Sequence, residues 1–273
     1  MKVLKGILKF IINSVMVCAI CLLVFNITGK KVFYDLLYSN LFEPVVIEET
    51  KAFTNTEATS EEISKVLENK NVEKIISDYV DSTMNDLASD EVSDTDIGEL
   101  FVGFIKENKD VLEKELDVTI TDEDLDKVKE SDEYKQIVAE YKAGIEKSKS
   151  ELTPKEKKAL KTYNYGVSSN FRYLLIGIIV LCIALLGLIE KSLYKWIKPT
   201  SINTITSGVM TLATALIVQF IVDKATLNMT IKFSTQPITN VSLITIGIGI
   251  VLLIIYIVIN KKINKEKESE VNV

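Results

Sequence analysis

Five carboxylates between positions 122 and 133 have the clearest chemical spacing in the chain. They occupy positions 1, 3, 5, 9 and 12 of a twelve-residue window, as calcium ligands do in an EF-hand loop: Asp122, Asp124, Asp126, Glu130 and Glu133. The sixth position of such a loop is glycine, which permits its sharp turn, but here it is Lys127. Acids at this spacing also suit the first turns of a capped helix. We therefore expect a capped helix and no specific calcium site.

A second acidic group lies between positions 90 and 96, at Asp90, Glu91, Asp94 and Asp96. Paired carboxylates can perform acid–base catalysis, but acids are so dense here that their proximity carries little information. A solvated turn followed by a helix cap explains the group equally well. We expect weak association of divalent cations at most.

The cysteines and the absence of histidine limit the remaining chemistry. Cys18 and Cys21 have CxxC spacing, but they and Cys182 lie in apolar stretches without the electropositive setting of a reactive thiolate. The chain has no histidine, the commonest general base and metal ligand. These features predict no enzyme, no cofactor and no metal centre. We also expect no nucleic-acid partner.

Four apolar segments are long enough to cross about 30 Å of hydrocarbon. They are Ile7 to Ile27, Phe171 to Ile189, Ile205 to Val222, and Val241 to Ile259. The first starts like a secretory signal, but no small-x-small cleavage site follows it, so we expect an uncleaved anchor. The sequence predicts an all-α membrane protein with four transmembrane helices and an extracytoplasmic helical domain inserted between helices 1 and 2.

The third span is the most polar of the four. Its polar side chains are Thr206, Ser207, Thr211, Thr214 and Gln219. With Asn13 of the first span, they are candidates for a polar path across the membrane. Hydroxyl and small residues at helix interfaces are more often packing, as Ser207, Thr211 and Ala215 at four-residue spacing suggest; Gly247 and Gly249 have the same interpretation. No Asp, Glu, Lys or Arg lies near mid-span, which argues against a transporter coupled to an ion gradient.

Charge divides the chain into pieces. Residues 28–170 contain 33 acidic and 19 basic residues, whereas the rest contains 5 acidic and 13 basic. We assign residues 1–29 to an N-terminal tail and the first span, 30–170 to an acidic helical domain, 171–260 to spans two to four, and 261–273 to a tail. Capping-box spacing at Thr59, Thr121 and Thr153 marks three helix starts in the acidic domain.

Apolar residues at helical spacing predict further helices. We expect helices over residues 63–87 with a break near 69–71, over 97–112, and over 134–145. The first span should continue as a helix through residues 30–42. Residues 50–60 look like a linker, and the alternation at 227–233 predicts a short strand or hairpin.

Basic residues flanking the spans predict orientation. With the N-terminus inside, the inner flanks hold Lys2, Lys5, Lys9, Lys191, Lys195, Lys198, Lys261, Lys262, Lys265 and Lys267. The outer flanks hold Lys30, Lys31, Arg172, Lys224 and Lys232, with Lys155 to Lys161 added if these lie near the surface. The excess places both termini in the cytoplasm and residues 30–170 outside it.

Two classes of function remain. The first is a non-enzymatic membrane protein that binds a membrane or envelope protein, or itself, through the external helical domain. The second is a small channel or transporter component. Its outline, four spans with the large loop first, resembles permease subunits of cell-division and macrolide-type ABC systems, although no motif supports that likeness. The abundance of Lys, Ile and Asn is typical of proteins from AT-rich bacterial genomes. We therefore expect a protein of a bacterial cell membrane.

Overall fold

The computed structural model describes residues 2–37, 70–89, 121–192, 194–225 and 233–271, with five isolated positions between 102 and 119. Eight helices lie within these residues: α1 (Lys2–Leu37), α2 (Lys70–Ala88), α3 (Asp122–Glu130), α4 (Asp132–Glu151), α5 (Pro154–Val167), α6 (Ser169–Glu190), α7 (Ile197–Ala225) and α8 (Gln236–Val271). The chain forms two compact units: a membrane unit, Met1–Leu36 with Gly166–Val273, and a middle unit, Leu37–Tyr165.

Four helices of the membrane unit are long and apolar enough to cross a membrane. Their apolar parts are Val3–Leu36, Ser169–Glu190, Ile197–Lys224 and Gln236–Lys265, so the four predicted spans are confirmed. Helix α6 has 22 residues, about 33 Å at 1.5 Å per residue, which matches the hydrocarbon thickness. Helices α1 and α8 have 36 residues each, about 54 Å, so their ends extend beyond the hydrocarbon.

Helices α1 and α6 are antiparallel neighbours. Their shared core consists of Ile12, Met16, Ile20, Cys182 and Leu186. Near the start of α1, the Lys9 ammonium forms an ion pair with the Glu190 carboxylate at the end of α6. Because the beginning of one helix meets the end of the other, this ion pair agrees with antiparallel packing of α1 and α6.

Helices α7 and α8 approach each other at two glycines. A Cβ added to Gly249 would lie 2.6 Å from Ile205 Cγ1 and 3.0 Å from the Ser201 carbonyl oxygen. A Cβ added to Gly208 would lie 2.6 Å from Ile246 Cγ1. A methyl group does not fit at either distance. The two backbones can approach this closely because both positions are glycine. Gly247 differs, since nothing lies within 4 Å of its Cβ position, and its predicted packing role is wrong.

The middle unit packs short amphipathic helices. Helix α2 buries Val80, Met84 and Ala88 on one face, and a separate cluster joins Leu125 of α3 to Tyr134 of α4. The α3–α4 boundary, where the Ser131 hydroxyl accepts a hydrogen bond from the Tyr134 N–H, was not predicted.

Several predicted features fall partly or wholly outside the described residues. Helix α1 continues to Leu37, which confirms its extension up to that point. Helix α2 is described from Lys70 onward and the residues before it lie outside the described part, so the break near 69–71 stays a prediction. The cap at Thr59, the linker 50–60, the acids at 90–96 and almost all of the helix 97–112 and the strand 227–233 lie outside the described residues.

The capping boxes at Thr121 and Thr153 are confirmed. Both the N–H and the hydroxyl of Thr153 donate to Glu156 Oε2 at 2.7 Å, and the Glu156 N–H donates to Thr153 Oγ1 at 3.3 Å. Thr121 and Asp124 repeat this pattern. The hydrogen bonds from Thr153 lower the pKa of Glu156 from its ordinary value of 4.5. The cap therefore contributes its stability above that pH and loses it as the pH falls through the lowered pKa.

We expect Thr153→Ala to lower the melting temperature of a soluble fragment from about Thr50 to Tyr165 by about 2–4 °C. The loss should shrink as the pH falls below 4.5, because Glu156 then becomes protonated in both variants. Circular dichroism measures both the helical content and the melting. Thr162→Ala, an exposed change in the same helix, is the matched control and should leave the midpoint unchanged or slightly higher. Equal midpoints for Thr153→Ala and the parent would refute the cap.

Candidate functional site in the membrane unit

A row of polar side chains runs along one face of α7. Asn203, Ser207 and Thr211 follow each other at four-residue spacing, and all three are buried. The opposite face is apolar and exposed, with Leu216 and Phe220 each more than half exposed. The polar stripe of the third span therefore faces its neighbouring helices, because helical periodicity separates the two faces.

The first part of this row contacts α1. The Asn203 amide donates to Asn13 Oδ1 at 3.0 Å. The Ser207 hydroxyl lies 3.2 Å from the Val17 carbonyl and 2.7 Å from the Asn203 carbonyl. Two of the polar residues proposed as a path, Asn13 and Ser207, thus form hydrogen bonds at the α1–α7 contact.

The second part contacts α8. The Thr211 and Ser242 hydroxyls lie 2.7 Å apart, and both side chains are buried. Ala215, one turn further, is also buried, so the packing interpretation of Ser207, Thr211 and Ala215 is confirmed. The other two hydroxyl residues behave differently: Thr206 and Thr214 are exposed, because they fall outside the buried face of the helix.

Gln219 joins the end of α7 to the start of α8. Its amide nitrogen donates to the Phe233 carbonyl at 3.0 Å and to Asp223 Oδ1 at 2.8 Å. Its amide oxygen accepts from the Thr235 N–H at 2.9 Å and from the Thr235 hydroxyl. Gln219, one of the candidates for a polar path, thus forms hydrogen bonds that hold the end of α7 to the residues just before α8.

Asn26 is a buried polar residue whose role sequence reasoning missed. It is 2% exposed in α1; its amide nitrogen donates to the Gly166 carbonyl at 2.7 Å and to the Ser168 carbonyl at 3.0 Å. Its amide oxygen accepts from Arg172 Nε at 2.8 Å. The signal available in the sequence was a lone asparagine near the end of one apolar span and an arginine at the start of the next.

The acidic pattern at 122–133 is largely helical, because residues 122–130 form α3 and Asp132 begins α4. Asp124 caps α3, and the hydrogen bonds from Thr121 lower the pKa of its carboxyl. Lys127 pairs with Glu123 at 3.0 Å. Within the described part of the chain no cluster of three or more Asp, Glu, His or Cys has metal-binding geometry. The absence of calcium binding stays a prediction.

Among the described residues of the middle unit, a buried polar cluster surrounds Asp86, which is 0% exposed. The Tyr141 hydroxyl donates to Asp86 Oδ2 at 3.2 Å and lies 3.2 Å from Thr83 Oγ1. Burial, with the nearby Asp86 charge, raises the pKa of Tyr141 to about 12, so this hydroxyl keeps its proton at neutral pH. Burial and Asp81 raise the pKa of Tyr163 to about 12 as well. The neutral Tyr141 hydroxyl thus donates to the Asp86 carboxylate and joins α4 to α2.

The fold and the site together describe an all-helical protein with four helices suited to crossing a membrane, whose polar interior holds these helices together. Comparisons with protein-family models, with curated proteins and with solved structures found no match to this chain.

Proposed function

We propose that this chain is a non-enzymatic, multi-pass cell-membrane protein that acts by binding or assembly through its acidic helical middle unit. One observation carries the proposal: the polar side chains of α7 are bonded to α1 and α8. The Asn203–Asn13 contact of 3.0 Å and the Thr211–Ser242 contact of 2.7 Å place these groups inside helix interfaces. They serve as packing contacts, which leaves the middle unit as the part of the chain available to a partner.

The partner we propose is a membrane or envelope protein, or a second copy of this chain. The middle unit joins the membrane unit through the chain at Leu36–Leu37 and again at Tyr165–Gly166. Attachment at both ends restricts the orientations that a domain samples, which reduces the entropy lost on binding. The acidic character of residues 28–170 favours a basic partner surface.

The runner-up is a channel or transporter component with a polar path along α7. Such a path needs Asn203, Ser207 and Thr211 to face water, so the hydrogen bonds to Asn13, Val17 and Ser242 would have to break. Breaking each of these hydrogen bonds within the membrane costs free energy, because few water molecules are there to replace the lost partner. The interface geometry therefore supports the binding proposal over this one.

Crosslinking in native membranes and flux assays on purified protein in liposomes test the proposal. We expect a reproducible crosslinked partner or oligomer and no ion or solute flux. Flux abolished by Thr211→Val or Gln219→Leu, but retained in the exposed matched variant Thr214→Val, would establish the channel instead.

We further propose that both termini are cytoplasmic and that residues 30–170 lie outside the cytoplasm. In a variant without the three native cysteines, Ser89→Cys should react with an impermeant thiol reagent on intact cells. Ser269→Cys, in α8 beyond the last span, should react only after the cells are opened, because the membrane shields it. The reverse labelling pattern would show that the orientation is inverted.

A further inference from the structure

The end of α6 contains a cleft of about 630 Å³ that no part of the proposed function uses. Its lining residues are Ala184, Gly187, Leu188, Lys191, Ser192 and Trp196. The first three belong to the apolar span, and the last three lie in the connection to α7. The cleft is therefore apolar on the side of the span and polar or aromatic at its mouth.

The backbone at Lys191 is unusual. This residue has φ 50° and ψ 36°, the left-handed conformation, and it caps α6 through a hydrogen bond from its N–H to the Gly187 carbonyl. Among the described residues it is the only non-glycine residue with a positive φ. Glycine is the usual residue at this helix position because a side chain is strained there. A lysine in such a place points to a use for its side chain.

The charges around the cleft are basic. Lys195 is exposed in the same connection and Lys198 is exposed in the first turn of α7, while the neighbouring acid, Glu190, is engaged by Lys9. A second cleft of the membrane unit, about 440 Å³, contrasts with this one, because its lysine, Lys31, lies 3.4 Å from Asp35. The cleft at Lys191 thus carries a positive charge without a neutralising carboxylate on its lining.

We propose that this cleft binds one anionic glycerophospholipid. The acyl chain lies along Ala184, Gly187 and Leu188, and the phosphate group accepts hydrogen bonds from the Lys191 ammonium and the Ser192 hydroxyl. Trp196 forms the wall at the depth where indoles favour the membrane interface. An ammonium facing an anionic headgroup at this depth favours binding, and this preference distinguishes the ligand from a zwitterionic lipid.

Native mass spectrometry of the full chain in neutral detergent tests the proposal. With equal amounts of phosphatidylglycerol and phosphatidylcholine added, we expect one retained phosphatidylglycerol, favoured over phosphatidylcholine by about fivefold. Lys191→Gly should abolish this preference and keep the melting temperature of the lipid-free protein, because glycine accepts the left-handed backbone. Lys191→Arg should keep the preference.

Matched variants distinguish lipid binding in this cleft from general attraction of anionic lipid by the basic charges around it. Lys195→Gln removes one charge from the same connection without touching the cleft lining, and we expect it to retain the lipid preference. If Lys191→Gly unfolds, Lys191→Asn replaces it, since asparagine also accepts this backbone. An equal loss in Lys195→Gln, an unchanged preference in the Lys191 variant, or displacement of the lipid by glycerol phosphate at equal concentration would overturn the proposal.

Discussion

Replacing Gly249 with alanine should destabilise the membrane unit, whereas the same replacement at Gly247 should not. The new methyl group of Gly249→Ala would lie 2.6 Å from Ile205 Cγ1, 2.9 Å from the Ile205 nitrogen and 3.0 Å from the Ser201 carbonyl oxygen. Two of these atoms are backbone, so relief requires α7 and α8 to move apart. Overpacking of this kind costs about 1–3 kcal/mol.

Gly247→Ala is the control because it has the same change in helix propensity, and nothing lies within 4 Å of its Cβ position. Gly208→Ala should reproduce the effect from the other helix, since its methyl group would lie 2.9 Å from the Ser242 carbonyl oxygen. Thermal unfolding of the purified variants in detergent measures the difference. Equal stability of the Gly249 and Gly247 variants would show that the helices do not meet at Gly249.

Replacing Asn26 with leucine should destabilise the α1–α6 pair by about 2–4 kcal/mol. Leucine has the same number of side-chain heavy atoms and the same branch at Cγ, so the change mainly removes the polar groups while keeping the shape of the side chain. The carbonyls of Gly166 and Ser168 and the Nε group of Arg172 each lose a hydrogen-bond partner. The Ser168 carbonyl keeps its hydrogen bond from the Arg172 N–H at 3.1 Å, so most of the cost comes from the Gly166 carbonyl and Arg172 Nε, which lose these partners near an apolar environment.

Asn170→Leu provides the matched control, since Asn170 is exposed in the first turn of α6. It should change the unfolding midpoint little. Arg172→Gln should fall between the two, because it removes one of the three contacts and leaves both carbonyls bonded to Asn26. If Asn26→Leu and Asn170→Leu unfold alike, Asn26 does not join these helices.

The spans and the caps were predictable from sequence because each depends on neighbouring residues. An apolar run of sufficient length implies a crossing helix, and threonine three residues before an acid implies a helix start. The α3–α4 boundary was missed because the acidic segment around Ser131 has no strong breaking residue.

The polar interior was only partly predictable because it depends on which helix faces meet. Thr206 and Ser207 are adjacent and chemically alike, yet one is exposed and the other is 0% exposed. Gln219 and Asn26 have partners in other parts of the chain, at Thr235 and Gly166. The composition and spacing of one helix do not show which distant residues will contact it. From sequence alone, the polar residues of the third span could therefore line a path across the membrane or form a packing face.

The distance along the chain between Asn26 and its partners determines when α1 can form these hydrogen bonds during synthesis. Asn26 and Gly166 are 140 residues apart, so at a synthesis rate of 5–20 residues per second α1 exists for about 7–28 s before that partner is made. Thr211 and Ser242 are only 31 residues apart, so α7 and α8 can associate soon after they leave the ribosome. During the interval the amide of Asn26 depends on water, lipid headgroups or the insertion machinery for its hydrogen bonds.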